Sequence, residues 1–234
     1  MADYKSIHGT NIETVSSDPS NPVTGQVWYN STDQALKGRT SNPAGAWASG
    51  GALNTARNRL SGAGTATAAL AIGGETDANV AIVEQYDGSS WTEIADLNTA
   101  RKATGASGIT TAALVFGGND PGGDEDVTET WNGTSWTEIA DLNTARSYVG
   151  GSGSGTTTAA LVFGGNTPPI TVNTELWNGT AWAEQNNLST ARKELSGAGT
   201  STAALAFGGA APSDSAVTEE WTAPTTATVT FTVS

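Results

Sequence analysis

The sequence predicts an all-β fold of small sheets repeated in tandem, and three observations carry that prediction. A Leu-(Asn/Ser)-Thr-Ala-Arg segment occurs at 53–57, 97–101, 142–146 and 188–192, its arginines 44, 45 and 46 residues apart. Each copy leads into Ala-Ala-Leu-x-(Ile/Phe)-Gly-Gly and then Glu-x-(Tyr/Trp). Apolar residues within a copy follow a period of two, and no stretch carries a helical stripe. A repeat of about 45 residues is the length of one four-stranded propeller blade.

In chain order, Gln26-Val27-Trp28-Tyr29-Asn30 and Ala35-Leu36-Lys37-Gly38-Arg39 are the first expected strands. Trp47 stands six residues before Leu53, as Trp91, Trp136 and Trp182 stand before Leu97, Leu142 and Leu188, so the chain enters its first full repeat from the end of an earlier one. Within each repeat the alanine-rich run, such as Thr158 to Phe163, predicts a strand buried on both faces and stopped by Gly-Gly. Leu70, Leu114, Leu161 and Leu205 occupy equivalent places in it and are expected to be buried alike. Asp87-Gly88, Asn132-Gly133 and Asn178-Gly179 predict tight type I′ hairpins that deliver Trp91, Trp136 and Trp182 onto a fourth strand. Thr228 to Val233 alternates cleanly and predicts a last strand.

These repeats resemble the kelch family, whose units run from an arginine-bearing turn through a strand ending in Gly-Gly to Glu-x-Tyr-Asp and a Trp. The resemblance spans roughly Val27 to Trp221 and implies a kelch-like β-propeller, a scaffold that serves as a binding platform more often than as an enzyme. Residues 1–22 are read as an N-terminal arm and 23–234 as the propeller. Five blades are expected: four full repeats, and a fifth in which the N-terminal strands and the strand at 228–233 close the ring and remove exposed edges. Four blades with an N-terminal hairpin outside the ring are the competing arrangement.

Composition narrows the function. The formal charge of −13 with few lysines argues against a phosphate-backbone binder, so nucleic acid is not an expected partner. With no cysteine there are neither disulfides nor thiolate metal sites, and with His8 as the single histidine a Ser-His-Asp triad or a His-built metal site has no material in the repeats. Sialidase-type chemistry would use arginines and a Tyr-Glu pair, but the Ser-x-Asp-x-Gly-x-x-Trp box that usually accompanies it is missing. No 18-residue apolar run is present, and Met1 to Lys5 lacks the features of a signal peptide, so neither membrane insertion nor secretion by its own leader is expected. A non-enzymatic protein is the reading that remains.

Two residue sets stand out. Arg57, Arg101, Arg146 and Arg192 recur with Glu84, Glu129, Glu175 and Glu219, one of each per repeat, which points to internal ion pairs or to arginines bonding turn carbonyls. The alternative is a ring of guanidinium groups near the axis that holds an anion. The segments after each Gly-Gly differ instead: they begin at Glu75, Asn119, Asn166 and Ala210, and the second is the acidic run Asp120 to Asp126. Divergent loops on one side of a repeated frame are the usual geometry of a recognition surface. Asn119, Asp120, Asp124, Glu125, Asp126 and Asn166 are therefore candidate binding residues. Calcium is the one cofactor left open, since 120–126 offers carboxylate and carbonyl oxygens, although the spacing matches no EF-hand or β-helix motif.

Thr24-Gly25-Gln26-Val27-Trp28-Tyr29-Asn30-Ser31-Thr32, followed by Ala35-Leu36-Lys37, resembles a short module near the start of bacteriophage tail-fibre and other virion proteins. That resemblance implies a virion component present in multiple copies, with other virion proteins and host-surface molecules as partners. Adhesion through many weak contacts, with carbohydrate as a reasonable ligand class, is the expected function. Trp28, outside the regular repeat positions, is a candidate for stacking on sugar. A purely structural decoration protein and, third, a cellular kelch adaptor are the alternatives.

Overall fold

The computed structural model describes residues 12–39 and 47–224. His8 and the strand expected over 228–233 lie outside those residues. The chain divides into two compact units, Met1–Ser49 and Gly50–Ser234. β1 (Glu13–Val15) pairs in parallel with β2 (Val27–Asn30), which pairs antiparallel with β3 (Ala35–Gly38), so residues 13–15 of the expected arm share a small sheet with the first predicted strands. Trp47 is fully exposed.

Gly50–Ser234 is built from four antiparallel sheets, and the described residues contain no helix. The first is a meander of β4 (Ser61–Thr65), β5 (Ala68–Ile72), β6 (Val83–Tyr86) and β7 (Trp91–Glu93). The second joins β8 (Gly105–Ile109) and β9 (Ala112–Phe116) to β12 (Thr128–Trp131) and β13 (Trp136–Glu138). Between them stands a two-stranded ribbon, β10 (Asn119–Asp120) and β11 (Gly123–Asp124). The third contains β14 (Gly150–Gly151), β15 (Ala160–Phe163), β16 (Thr174–Trp177) and β17 (Trp182–Glu184). The fourth has three described strands, β18 (Ser196–Gly199), β19 (Ala203–Phe207) and β20 (Thr218–Thr222).

The repeated alanine-rich strand is thus the second of each sheet, and its alternation creates two unlike faces. Leu70 and Ile72 pack on Ala113 and Val115 of the next sheet, Leu114 and Phe116 on Ala160 and Val162, and Leu161 and Phe163 on Ala204 and Ala206. A larger face meets a smaller one at each of these interfaces, which lets neighbouring sheets interdigitate. The first strands contact one another in order, β4 with β8, β8 with β14 and β14 with β18. They are glycine-rich for a steric reason: a Cβ on Gly197 would stand 2.1 Å from the Gly151 carbonyl oxygen.

Two expectations are corrected here. Leu205 does not share the burial of its equivalents: Leu161 is 0% exposed, whereas Leu205 and Phe207 are each 39% exposed, because no following sheet covers their face among the described residues. The Asp-Gly and Asn-Gly hairpins are not two-residue type I′ turns. Tyr86 pairs with Trp91, Trp131 with Trp136 and Trp177 with Trp182, which leaves four-residue loops. In each, the Asx side chain accepts the two amides that close the turn, as Asp87 does from Ser89 (2.8 Å) and Ser90 (2.9 Å). Only the glycine then needs positive φ, 99° at Gly88.

Candidate functional site

The repeated arginines are fastened inside the sheet that each one leads into. Arg101 donates from Nη2 to Glu129 (2.9 Å) and from Nη1 to the Gly117 carbonyl (3.1 Å) and that of Val127. Arg146 donates to Glu175 (2.7 Å) and to the Asn173 carbonyl (2.7 Å), and Arg192 to Glu219 (2.8 Å) and the carbonyls of Gly208 (3.0 Å) and Val217 (2.7 Å). Arg57 pairs with Glu84 and reaches the Gly73, Ala71 and Thr55 carbonyls. All four arginine side chains have no exposed surface, and of the glutamates only Glu219 keeps some.

The second carboxylate oxygen of each glutamate holds the turn that carries the arginine. Glu84 accepts from the backbone and side-chain amides of Asn54, Glu129 from those of Asn98 and Glu175 from those of Asn143, at 2.7–2.8 Å, while Glu219 accepts from the Ser189 amide. Burial alone pushes the Glu84 carboxyl up, but Arg57 and the amides of Asn54 and Thr55 outweigh it and hold the group below its ordinary value. Burial lowers the pKa of Arg101 and Arg146, and Glu129 and Glu175 respectively oppose that shift. The arrangement locks the Leu-Asn-Thr-Ala-Arg turn onto its sheet and leaves these guanidinium groups no surface for a ligand.

Directly beyond each brace the chain presents the divergent loops. The residue after each arginine forms a bridge with the first residue of the loop: Asn58 with Glu75, Lys102 with Asn119, Ser147 with Asn166, and Lys193 with Ala210. Side chains then tie the loops of successive repeats together. Asn79 donates to the Asn119 carbonyl (2.8 Å), and Asp124 accepts from Asn119 (3.1 Å), Ser147 (2.6 Å) and Asn166 (3.0 Å). Of the candidate binding residues, the structure thus brings Asn119, Asp124 and Asn166 into one network.

The others are placed differently. Asp120 closes its own turn by accepting the Gly122 and Gly123 amides. The Glu125 carboxyl is pushed up by burial and then by the nearby Asp120 charge, and the Asp126 carbonyl receives the Leu142 amide. Among the described residues no three His, Cys, Asp or Glu side chains converge as metal ligands. Asp120 and Asp124 spend their carboxylates on the hydrogen bonds of their own ribbon and of the neighbouring loop.

Trp28 belongs to Met1–Ser49 and is 6% exposed, which corrects its reading as a sugar-stacking platform. Its indole N–H is donated to Asp18 (3.0 Å), which also accepts from Asn30 (2.8 Å) and Lys37 (2.7 Å). Lys37 above all, with Asn30 and Trp28, holds the Asp18 carboxyl down to about 2.

Two residues after each repeated arginine stand Arg59, Ala103, Tyr148 and Glu194, with φ of 53°, 53°, 52° and 56°. Their backbones form a ladder from repeat to repeat, the amide of Ala103 donating to the Arg59 carbonyl (2.9 Å), Tyr148 to Ala103 (2.8 Å) and Glu194 to Tyr148 (2.9 Å). A left-handed conformation usually signals itself by glycine. Here a chain with 29 glycines places four unrelated side chains instead, so no shared residue type marks the position. Neither a family model nor a curated protein matches this chain.

Proposed function

We propose that this chain is a non-enzymatic virion component of a bacteriophage: a kelch-like β-propeller that recognises the host surface, glycans included, through the loops beyond its arginine braces. The observation that carries the reading is the contrast between frame and loops. The Arg–Glu brace is repeated in all four sheets, while the loops above it differ in length and chemistry, and Asn79, Asn119, Asp124 and Asn166 join those of the first three repeats to one another. A frame that rigid can carry loop variation without loss of fold. The virion assignment rests on the Gly25 to Thr32 segment, whose unit would join the protein to other virion proteins. In fold terms the proposal is a five-sheet ring, its fifth sheet formed by the two ends of the chain.

A structural decoration protein is the second reading, and the exposed Leu205 and Phe207 favour it, because an apolar face of that kind also suits packing against a neighbouring protein. Replacing residues 120–126 with a Gly-Ser loop of equal length separates the two. Recognition predicts particles that assemble but adsorb poorly to host cells, with the isolated protein still folded. Normal adsorption by such particles would favour decoration.

A further inference from the structure

The repeat unit Gly50–Ser234 has seven lysines and arginines, and the braces bury four of them. The remaining three, Arg59, Lys102 and Lys193, come from three different repeats and sit beside the ladder. Lys102 and Arg59 both engage Glu75, Arg59 at 2.9 Å, and the Lys102 side chain is mostly buried. Arg59 and Lys193 also converge on one aromatic ring: the guanidinium carbon and the ammonium nitrogen each lie 5.8 Å from the Tyr148 centroid. Their side chains are 48% and 37% exposed. Glu194, 3.9 Å from Lys193, is the other carboxylate at this place. The Tyr148 hydroxyl has no hydrogen-bond partner among the described residues.

A protein of net charge −13 thus brings two of the three cations outside its braces onto one tyrosine ring. The ring face attracts both, and among the described residues Arg59, Lys102 and Lys193 meet only two carboxylates, Glu75 and Glu194, which leaves one positive charge for a further anion.

We propose that Arg59, Tyr148 and Lys193 form a binding site for the carboxylate-bearing unit of an acidic saccharide. The two cations hold the carboxylate, the tyrosine edge and hydroxyl meet the sugar, and the Asn-rich loops alongside supply partners for further hydroxyls. The site deepens the recognition reading, on which the choice of a saccharide rests.

Titration calorimetry of the full chain with trigalacturonate, maltotriose and triglutamate tests it, together with the variants Tyr148→Gly and Lys193→Glu. Trigalacturonate binds the unaltered protein, more weakly as salt rises, and the other two do not. Tyr148→Gly weakens that binding about tenfold or more and leaves the melting temperature at least as high, since glycine suits the local φ. Lys193→Glu, at an exposed position, abolishes binding without unfolding the protein. No binding of trigalacturonate in the millimolar range, unaltered binding by both variants, or equal binding of triglutamate or maltotriose would overturn the proposal. Because the titration uses isolated protein, its failure leaves the adsorption result for the 120–126 loop standing by itself.

Discussion

Arg146→Ala is expected to destabilise the protein by about 3–5 kcal/mol, the cost of removing one partner from a buried ion pair. The loss goes beyond the Arg146–Glu175 contact. Glu175 would remain without exposed surface and without its cation, and the Asn173 carbonyl would keep only the Gly164 amide. Lys193→Ala, which removes an exposed cation, should cost about 0–1 kcal/mol. Urea unfolding of the two variants side by side makes the comparison, and equal small losses would contradict the brace.

Leu161→Ala is expected to cost about 2–5 kcal/mol, because it opens a cavity where the third sheet meets Ala204 and Ala206 of the fourth. Leu205→Ala tests the proposed closing sheet. With that sheet in place the loss should match that of Leu161→Ala; a loss of about 1 kcal/mol or less, the size typical of surface positions, would mean that the Leu205 face stays open in solution. Unfolding free energies of the two variants decide between these outcomes.

Much of this architecture could be read from the chain because each repeat states the same local rule four times. Alternation and Gly-Gly mark the second strand, and the recurrence of Arg with Glu marks two side chains that can neutralise each other within a sheet. Other features depend on partners that a repeat does not name. The burial of Leu205 depends on what covers the fourth sheet, which is a property of the whole assembly of sheets and not of the motif around it. The Asn of Leu-Asn-Thr-Ala-Arg reads as a turn former, yet at Asn54, Asn98 and Asn143 it also binds the glutamate some thirty residues later. Trp28 is turned inward because Asp18, ten residues earlier, accepts its N–H, and no periodicity announces that pairing.

The candidate site divides in the same way. Loop divergence pointed to Asn119, Asp124 and Asn166, and the structure joins them. The Arg59, Tyr148 and Lys193 cluster was hidden because its members are two residues after one brace, two after another and one after a third, with no residue type in common. Only the ladder geometry brings them to one place.

Mass spectrometry of purified particles tests the central claim most directly. If the chain is a virion component, its peptides co-purify with infectious particles through density-gradient centrifugation at many copies per particle. Peptides found only in the soluble fraction of the lysate, and absent from the particles, would contradict it.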